Sequence, residues 1–294
     1  MMAGDLVLVT AASGKSAMQS VRHLAERGAK VRALVRREET RAALLQAGAA
    51  DVAVGDLLNP SAVAEALKGV RTVLHICPPM HPQEDEIAAS LFKLCLQAGV
   101  QHFVMWSVLH PHAHVPHHQR KQKAEGALID SGLPFTILQP GRYMQHLETV
   151  WPSLLKTGVH AFPFSTTSPF SLVHLDDLAS AAAKVATEPG HIGAIYELAG
   201  PEVLSQEDCA AIISRELGRS IRAERVDINL SADRARAHGL PEWRIETLRI
   251  MNEHYDHHGL AGNGNVLQWL LGRPSISFTD YVREVMASLG TSAI

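Results

Sequence analysis

Residues 6–17 have the sequence Leu-Val-Leu-Val-Thr-Ala-Ala-Ser-Gly-Lys-Ser-Ala, and the fold is decided by this stretch. The apolar run Leu6–Val9 predicts a buried strand, and a turn of small residues then leads into a helical pattern at about 16–27. A strand, a tight turn and a helix present backbone N–H groups and a helix N-terminus to a pyrophosphate. Such turns usually carry three glycines, whereas Ala11, Gly14 and Ala17 occupy those positions here. The motif is therefore weak alone, and the rest of the chain must decide whether it binds a nucleotide.

The first half of the chain alternates predicted strands and helices. Short apolar segments predict strands at 6–10, 30–35, 51–54, 72–76, 103–107 and 135–139. Helical patterns lie between them at about 16–27, 38–47, 60–68, 84–98 and 119–131. Strands that are apolar on both faces and alternate with helices build a doubly wound parallel sheet, which binds ligands at the carboxyl ends of its strands. We therefore expect an α/β Rossmann fold.

The alternation is lost beyond residue 150. Aromatic residues among Pro, Ser and Thr at 151–172 predict loops and short strands, followed by a helix at about 176–187, a strand near 194–198 and a helix at 205–217. Residues 231–294 are predicted to be mainly helical. We predict a nucleotide-binding Rossmann domain at 1–155, completed by segments near 176–200. A smaller α+β domain, mainly 156–294, is expected to close over the sheet edge and bind a substrate.

Composition and charge limit the classes of function. The chain has 294 residues and a net charge of −3 with scattered Lys and Arg, which argues against a nucleic-acid partner. It contains no unbroken apolar run of about 18 residues and no leader pattern, so we expect no membrane partner. The spacing of Cys77, Cys95 and Cys209 fits neither a metal site nor a redox motif and predicts buried free thiols. We expect a cytoplasmic protein, either a monomer or a homodimer.

Polar and small residues follow each of the first four strands. Asp or Glu after the second strand is typical of NAD sites, whereas the pair Arg36-Arg37 at this point fits a ribose 2′-phosphate and, with Lys15, predicts NADP(H). An ordinary loop at the first turn and a solvated helix start at Arg36 remain the alternatives. Asp56 is expected to bind the adenine amino group and Leu57 to pack on its ring. The predicted cofactor contacts at these strand ends are Thr10, Ala11, Ser13, Gly14, Lys15, Ser16, Arg36, Asp56, Leu57, Cys77 and Pro78.

The fifth strand leads to the predicted catalytic residues. Ser107 ends this strand, and His117 and Lys121 lie one helical turn apart after it. An imidazole, whose ordinary pKa is about 6.5, is a sensible proton donor near neutral pH. Lys121 is expected to bind the nicotinamide ribose and to lower the pKa of the donor. The histidines at 110–118 also fit a polar surface loop or a metal site, but without a Cys or carboxylate partner we predict no metal.

The sixth strand leads to the predicted substrate pocket. Pro140 and Gly141 are expected against the nicotinamide face of the cofactor. The side chains expected to line the substrate pocket are Tyr143, Met144, His146 and Phe164. The aromatic residues of the C-terminal third are individually more typical of a core than of a ligand contact.

Several of these segments together resemble the NmrA-like branch of the atypical short-chain dehydrogenases/reductases. The matching segments are Val-Thr-Ala-Ala-Ser-Gly-Lys (9–15), Val-Arg-Ala-Leu-Val-Arg-Arg (31–37), Gly-Asp-Leu (55–57), Lys-x-x-x-Glu (121–125), Ser-Gly-Leu-Pro-Phe-Thr-Ile-Leu-Gln-Pro-Gly (131–141) and Leu-Gly-Arg-Pro (271–274). The resemblance implies a Rossmann domain that binds NADP(H) and a small C-terminal substrate domain. It assigns cofactor contacts to Gly14, Lys15, Arg36, Asp56, Lys121 and Pro140. Ala11 and Ala17 replace glycines usual in this family, and His117 replaces the tyrosine of the Tyr-x-x-x-Lys motif.

Three functions fit this pattern. The first is an NADPH-dependent reductase of an apolar substrate of aromatic, quinone or enone type, favoured by Ser107, Lys121 and the aromatic second domain. The second is a non-catalytic NADP(H)-sensing regulator, favoured by the replacement of two turn glycines by Ala11 and Ala17 and by the missing tyrosine. The third is an isomerase or lyase on the same fold.

Overall fold

The computed structural model describes residues 5–291. Its strands are β1 (Leu6–Val9), β2 (Lys30–Val35), β3 (Asp51–Val54), β4 (Val70–His75), β5 (His102–Trp106), β6 (Phe135–Pro140), β7 (Val159–Phe162), β8 (Phe170–Ser171), β9 (Ala194–Leu198), β10 (Val203–Leu204) and β11 (Arg222–Arg225). Its helices are α1 (Lys15–Glu26), α2 (Arg41–Gln46), α3 (Pro60–Ala66), α4 (Glu84–Gln97), α5 (Pro116–Asp130), α6 (His146–Thr157), α7 (Leu175–Thr187), α8 (Gln206–Leu217), α9 (Ile228–Ala237), α10 (Glu242–His258), α11 (Asn265–Leu271) and α12 (Phe278–Leu289). A short 3-10 turn, Glu38–Thr40, precedes α2.

Seven strands form one parallel sheet in the order β3-β2-β1-β4-β5-β6-β9. The apolar strands place Val7 opposite Val31 and Leu8 opposite Val73, so that both faces are buried under helices. The strand order changes direction between β1 and β4, which is where a doubly wound sheet opens a ligand crevice. The predicted α/β Rossmann fold is confirmed, and the predicted strands agree with the observed ones to within two residues at each end.

The chain divides into two compact units. The first comprises residues 5–112, 117–140 and 176–196 of the described chain, and the second comprises 113–116, 141–175 and 197–291. Residues 113–116 and 141–155 thus belong to the second unit, although the sequence assigned them to the first domain at 1–155. The domain assignment stays a prediction, and the ends of its two ranges, 1–4 and 292–294, lie outside the described residues.

The second unit contains a helix that the sequence reasoning missed. Loops and short strands were expected over 151–172, and the short strands β7 and β8 do lie there, but α6 extends to Thr157 and contains Pro152. The prediction was wrong over 151–157, where the buried residues follow a helical spacing despite the proline. The buried side chains of α6 are Leu147, Trp151, Leu154 and Leu155. Within residues 5–291, no helix has both the length and the apolar character needed to cross a membrane.

Candidate functional site

The first turn lies between β1 and α1 and is built from closely packed backbone. Ala11 has a φ of 47°, in the left-handed region that favours glycine. The Ala12 N–H donates to Leu34 O at 3.0 Å, and the Gly14 N–H donates to Ala11 O at 3.1 Å. These bonds hold the turn closed, with Ser13 and Lys15 exposed around it.

The N-terminus of α1 follows the first turn directly and has no side-chain cap. Its N-cap is Gly14, which offers no side-chain acceptor, and its first turn contains no acidic residue. The shorter helices α2 and α11 likewise lack a side-chain cap and an acidic residue in the first turn. By contrast, side-chain oxygens cap four other helices, and the capping residues are Asn59, Ser205, Asp227 and Ser277. An uncapped helix N-terminus with no nearby acid favours an anion. This geometry fits the pyrophosphate of a dinucleotide.

A cationic side chain follows β2 at the same edge of the sheet. Arg36 is exposed and has no ion-pair partner within residues 5–291. Nearby Arg41, in contrast, is paired with Glu38. Arg36 is therefore available to a phosphate, as an NADP(H) site requires.

Thr10 lies at this edge of the sheet, and its hydroxyl is hydrogen-bonded within the protein. The hydroxyl donates to Ile76 O at 2.9 Å, accepts from Ile76 N at 3.0 Å and lies 2.9 Å from His75 Nδ1. Thr10 is fully buried, so these bonds tie the end of β1 to the end of β4. The geometry gives Thr10 a positioning role beside the turn.

The loop after β3 is shaped by close packing. A Cβ at Gly55 would lie 2.9 Å from Ala62 Cβ, so only glycine fits between this loop and α3. Asp56 Oδ1 accepts from Leu58 N at 2.9 Å, while Leu57 is half-buried against the core. After β4, Cys77 is buried and Pro78 exposed, and burial raises the pKa of the Cys77 thiol to about 12. The three cysteines are buried and free, as predicted.

Lys121 lies on α5 in a buried ion pair. Its Nζ donates to Glu84 Oε1 at 2.5 Å and to Trp106 O at 3.0 Å. Glu84 is only 3% exposed, and its Oε2 has no hydrogen-bond partner in the structure. The pair holds the Lys121 ammonium beside the ends of β4 and β5. Burial, with a smaller effect from Lys121, lowers the pKa of His75 to about 3.

Ser107 belongs to a second buried network. Its hydroxyl donates to Glu125 Oε1, and Gln139 Nε2 donates to Glu125 Oε1 and Oε2 at 3.1 and 2.9 Å. Burial raises the pKa of Glu125, although the bonds from Ser107 and Gln139 act in the opposite direction. The Ser107 proton is therefore directed at a carboxylate inside the protein.

His117 lies near Lys121 on α5 but is nearly buried. Burial, together with His118 and Lys121, lowers the pKa of His117 to about 3. The ring is neutral at physiological pH and lacks the readily released proton that the predicted donor must give. Within residues 5–291 no group of three or more His, Cys, Asp or Glu side chains is placed to hold a metal ion.

A pocket in the second unit contains all four predicted substrate residues. Tyr143, Met144, His146 and Phe164 line it, and the rings of Tyr143 and His146 stack at a centroid distance of 5.8 Å. The segment that carries three of them starts directly after β6, where Pro140 and Gly141 are buried and bonded through Pro140 O to Leu109 N and through Gly141 N to Leu198 O.

Four candidate functional residues were not predicted from the sequence. Glu84 entered the sequence analysis only as the start of a predicted helix, and Glu125 only as part of a family motif; Gln139 and Arg142 were given no role. Arg142 carries a detectable signal, because it is the one charged residue between Pro140 and Leu147. Glu84, the partner of Lys121, carries no such signal in the sequence, because it lies 37 residues upstream on another helix.

Comparison with known proteins extends these observations. An NAD(P)H azoreductase from Xenophilus azovorans is 27% identical over 289 residues, covering 98% of this chain and 100% of that protein. The solved NADPH complex of an Escherichia coli quinone oxidoreductase has a TM-score of 0.84 at 24% identity, covering 95% of this chain and 99% of that one. NmrA, a negative transcriptional regulator solved with NAD, has a TM-score of 0.80 at 19% identity, covering 97% and 96%.

The family model described as the NmrA-like family matches residues 3–280. This range includes the β1–α1 turn, the α5 lysine and the pocket in the second unit. The resemblance noted from the sequence motifs is thereby confirmed, and the chain belongs to the NmrA-like family.

Proposed function

We propose that this protein is an NADPH-dependent reductase of apolar small molecules of aromatic, quinone or enone type. The observation that carries the proposal is the uncapped N-terminus of α1 combined with the exposed Arg36 after β2. Its similarity to an NAD(P)H azoreductase and an NADPH-dependent quinone oxidoreductase supports a reductase with this substrate class. We also place it in the cytoplasm, where its free thiols stay reduced.

The cofactor is held by residues at the ends of successive strands. Backbone N–H groups from Ser13 to Ser16 bind the pyrophosphate, and Arg36 binds the 2′-phosphate with parallel hydrogen bonds. Asp56 and Leu57 contact the adenine, and Cys77, Pro78, Pro140 and Gly141 border the nicotinamide. NADPH supplies a hydride when it is bound.

The protein contributes to catalysis mainly by positioning the reactants and by placing the positive charge of Lys121 beside them. Lys121, fixed by Glu84, binds the nicotinamide ribose and stabilises negative charge that develops on the substrate oxygen or nitrogen. Ser107 supports this region through its bond to Glu125 rather than by giving up a proton. Because His117 is neutral, the proton that completes the reduction comes from solvent.

A regulator that binds NADP(H) without turnover is the second candidate. The left-handed backbone of Ala11, at a position where family members usually carry glycine, and the lowered pKa of His117, which stands in place of the tyrosine, favour it. The similarity in fold to NmrA agrees with this alternative.

Oxidation of NADPH, followed by absorbance, tests the proposal against menadione, an aryl azo dye and an aryl enone. We expect turnover with at least one acceptor and a loss of about 10- to 100-fold in kcat/KM for Lys121→Ala. Arg36→Gln should lower the preference for NADPH over NADH by about tenfold or more, since a charged hydrogen bond to the phosphate is lost. Arg27→Gln, which removes a cation at the C-terminal end of α1 that is paired with Glu188, is the matched control and should change it little. NADPH binding without turnover on any acceptor would reject the reductase and favour the regulator.

A further inference from the structure

Glu84, the first residue of α4, has one carboxylate oxygen that the protein uses and one that it does not. Its side chain is 3% exposed, and its Oε1 accepts a hydrogen bond from Lys121 Nζ at 2.5 Å. Its Oε2 is buried and has no hydrogen-bond partner within residues 5–291. A buried carboxylate oxygen without a donor is costly, so nearly all such atoms in folded proteins have a partner and an exception needs an explanation.

A second buried atom of this kind lies near the same lysine. His117, one helical turn before Lys121 on α5, has a buried Nδ1 without a hydrogen-bond partner in the described part of the chain. Lys121 Nζ also donates to Trp106 O at 3.0 Å, at the carboxyl end of β5. Glu84, Lys121 and His117 all belong to the first unit. Two unmet polar atoms around one lysine, at the ligand-binding end of a doubly wound sheet, point to a polar ligand group as their partner.

The chemistry of Glu84 restricts which ligand group fits. A carboxylate oxygen only accepts hydrogen bonds, so its partner is a hydroxyl or an N–H group. The phosphates of the cofactor are anionic acceptors and are excluded. The ammonium of Lys121 offsets the charge of Glu84, so the pair accommodates a neutral ligand group. The nicotinamide ribose, which the proposed function places at Lys121, offers hydroxyl donors of this kind.

The loop before Glu84 gives such a group access to the first turn of α4. Residues 78–83, between β4 and α4, are all half-buried or exposed. Met80 in this loop has a φ of 57°, a backbone conformation that is unfavourable for a residue with a side chain. A loop with little burial and an unfavourable backbone shifts at low cost, and a small shift is enough to admit a hydroxyl.

We propose that Glu84 is a cofactor-binding residue whose Oε2 accepts a hydrogen bond from a hydroxyl of the nicotinamide ribose of NADP(H). Oε1 stays bonded to Lys121, so one carboxylate holds both the lysine and the ribose. The inference rests on the proposed function for the position of the ribose beside Lys121. It needs no turnover, and it applies equally to a reductase and to a regulator.

Calorimetric titration with three ligands tests this contact. NADPH and 2′-phospho-ADP-ribose contain the second ribose, whereas 2′,5′-ADP consists of the adenosine half alone. Glu84→Gln replaces a charged acceptor by a neutral amide, so it should weaken the binding of both ribose-bearing ligands by about 3- to 10-fold and leave that of 2′,5′-ADP unchanged. Glu86→Gln, which removes an exposed carboxylate from the same turn of α4, is the matched control and should change none of the three.

A second comparison separates direct contact from an effect through Lys121. Lys121→Gln removes the charge but keeps an N–H donor for Glu84 Oε1. Adding Glu84→Gln in this background should weaken NADPH binding again by about 3- to 10-fold. No further loss would mean that Glu84 acts only by holding Lys121, and would overturn the inference.

The remaining outcomes are equally decisive. Unchanged NADPH affinity in Glu84→Gln, or equal losses for all three ligands, would overturn the inference. A loss for NADPH alone, with 2′-phospho-ADP-ribose unaffected, would reject the ribose as the donor. Losses for both ribose-bearing ligands in a protein that reduces none of the acceptors would reject the reductase and keep the ribose contact. If Glu84→Gln does not fold, Glu84→Asp, which draws the carboxylate back by one methylene group, decides by the same comparison.

Discussion

Replacing Ala11 with glycine tests the strain in the β1–α1 turn. At a φ of 47°, the Cβ of Ala11 makes the left-handed backbone cost about 1–2 kcal/mol. Glycine removes this cost, but its greater freedom in the unfolded chain offsets about 0.5–1 kcal/mol. We therefore expect Ala11→Gly to raise the free energy of unfolding by about 0.5–1 kcal/mol.

Ala12 provides the matched control one residue away. It is fully buried and is not among the residues with positive φ. Ala12→Gly gains the same unfolded-state freedom and also loses about 0.8 kcal/mol of methyl burial, so it should lower the free energy of unfolding by about 1.5 kcal/mol. The two substitutions are thus expected to shift stability in opposite directions.

Urea denaturation followed by circular dichroism measures both free energies, and fluorescence titration measures NADPH binding. Ala11→Gly should also tighten NADPH binding, by up to about tenfold if the methyl group costs about 1.4 kcal/mol of pyrophosphate contact. Similar losses of stability in both variants would refute the strain assigned to Ala11. An unchanged NADPH affinity would show that its methyl group does not obstruct the cofactor.

Three further predictions concern buried charges. Lys121→Met should lower the free energy of unfolding by about 3–5 kcal/mol because Glu84 stays buried without its partner, and adding Glu84→Gln should restore most of it. Urea denaturation of the wild type, Lys121→Met and the double variant checks this, and a double variant no more stable than Lys121→Met would contradict it. Folding lowers the pKa of His117 from 6.5 to about 3, so the wild type should lose up to about 1.4 kcal/mol per pH unit from this group as the pH falls below 6.5. The melting temperature of His117→Gln should therefore fall less steeply with decreasing pH than that of the wild type. Equal slopes of melting temperature against pH in the two proteins would contradict this. Burial raises the pKa of Glu125 above 4.5, so its stabilising contribution is complete below that pH and is lost as the pH rises through the folded pKa. Glu125→Gln should consequently gain melting temperature relative to the wild type between pH 4 and pH 7, whereas a constant difference would argue against the raised pKa.

Local patterns were sufficient to predict the sheet and the first turn. The run Leu6–Val9 and the small residues after it determine a strand and a turn by short-range chemistry, and the structure has both. The helix α6 could not be predicted as readily, because Pro152 contradicts a helix locally while packing of Trp151 and its neighbours stabilises one. Proline costs a hydrogen bond, but burial of one helix face outweighs that loss here.

The candidate site was harder to predict because side-chain partners are set by the tertiary fold. Lys121 lies at the end of β5, where its Nζ donates to Trp106 O, but its charge is balanced by Glu84 on α4, and no local pattern reveals this pairing. His117 was judged by the ordinary pKa of its side chain, which burial then shifts far below neutral pH. Arg142 attracts attention only because three phenylalanine rings lie within 5.5 Å of its guanidinium in the fold.

The strand order has a consequence for biosynthesis. The outermost strand, β9, pairs with β6, yet residues 141–193 are translated between the two. At about 5–20 residues per second, the open edge of β6 stays unpaired for several seconds on the ribosome, which is when edge strands are prone to pair wrongly. A chain stopped at residue 155 would keep that edge open permanently. The sheet is therefore completed only after residues 141–175 of the second unit have been synthesised.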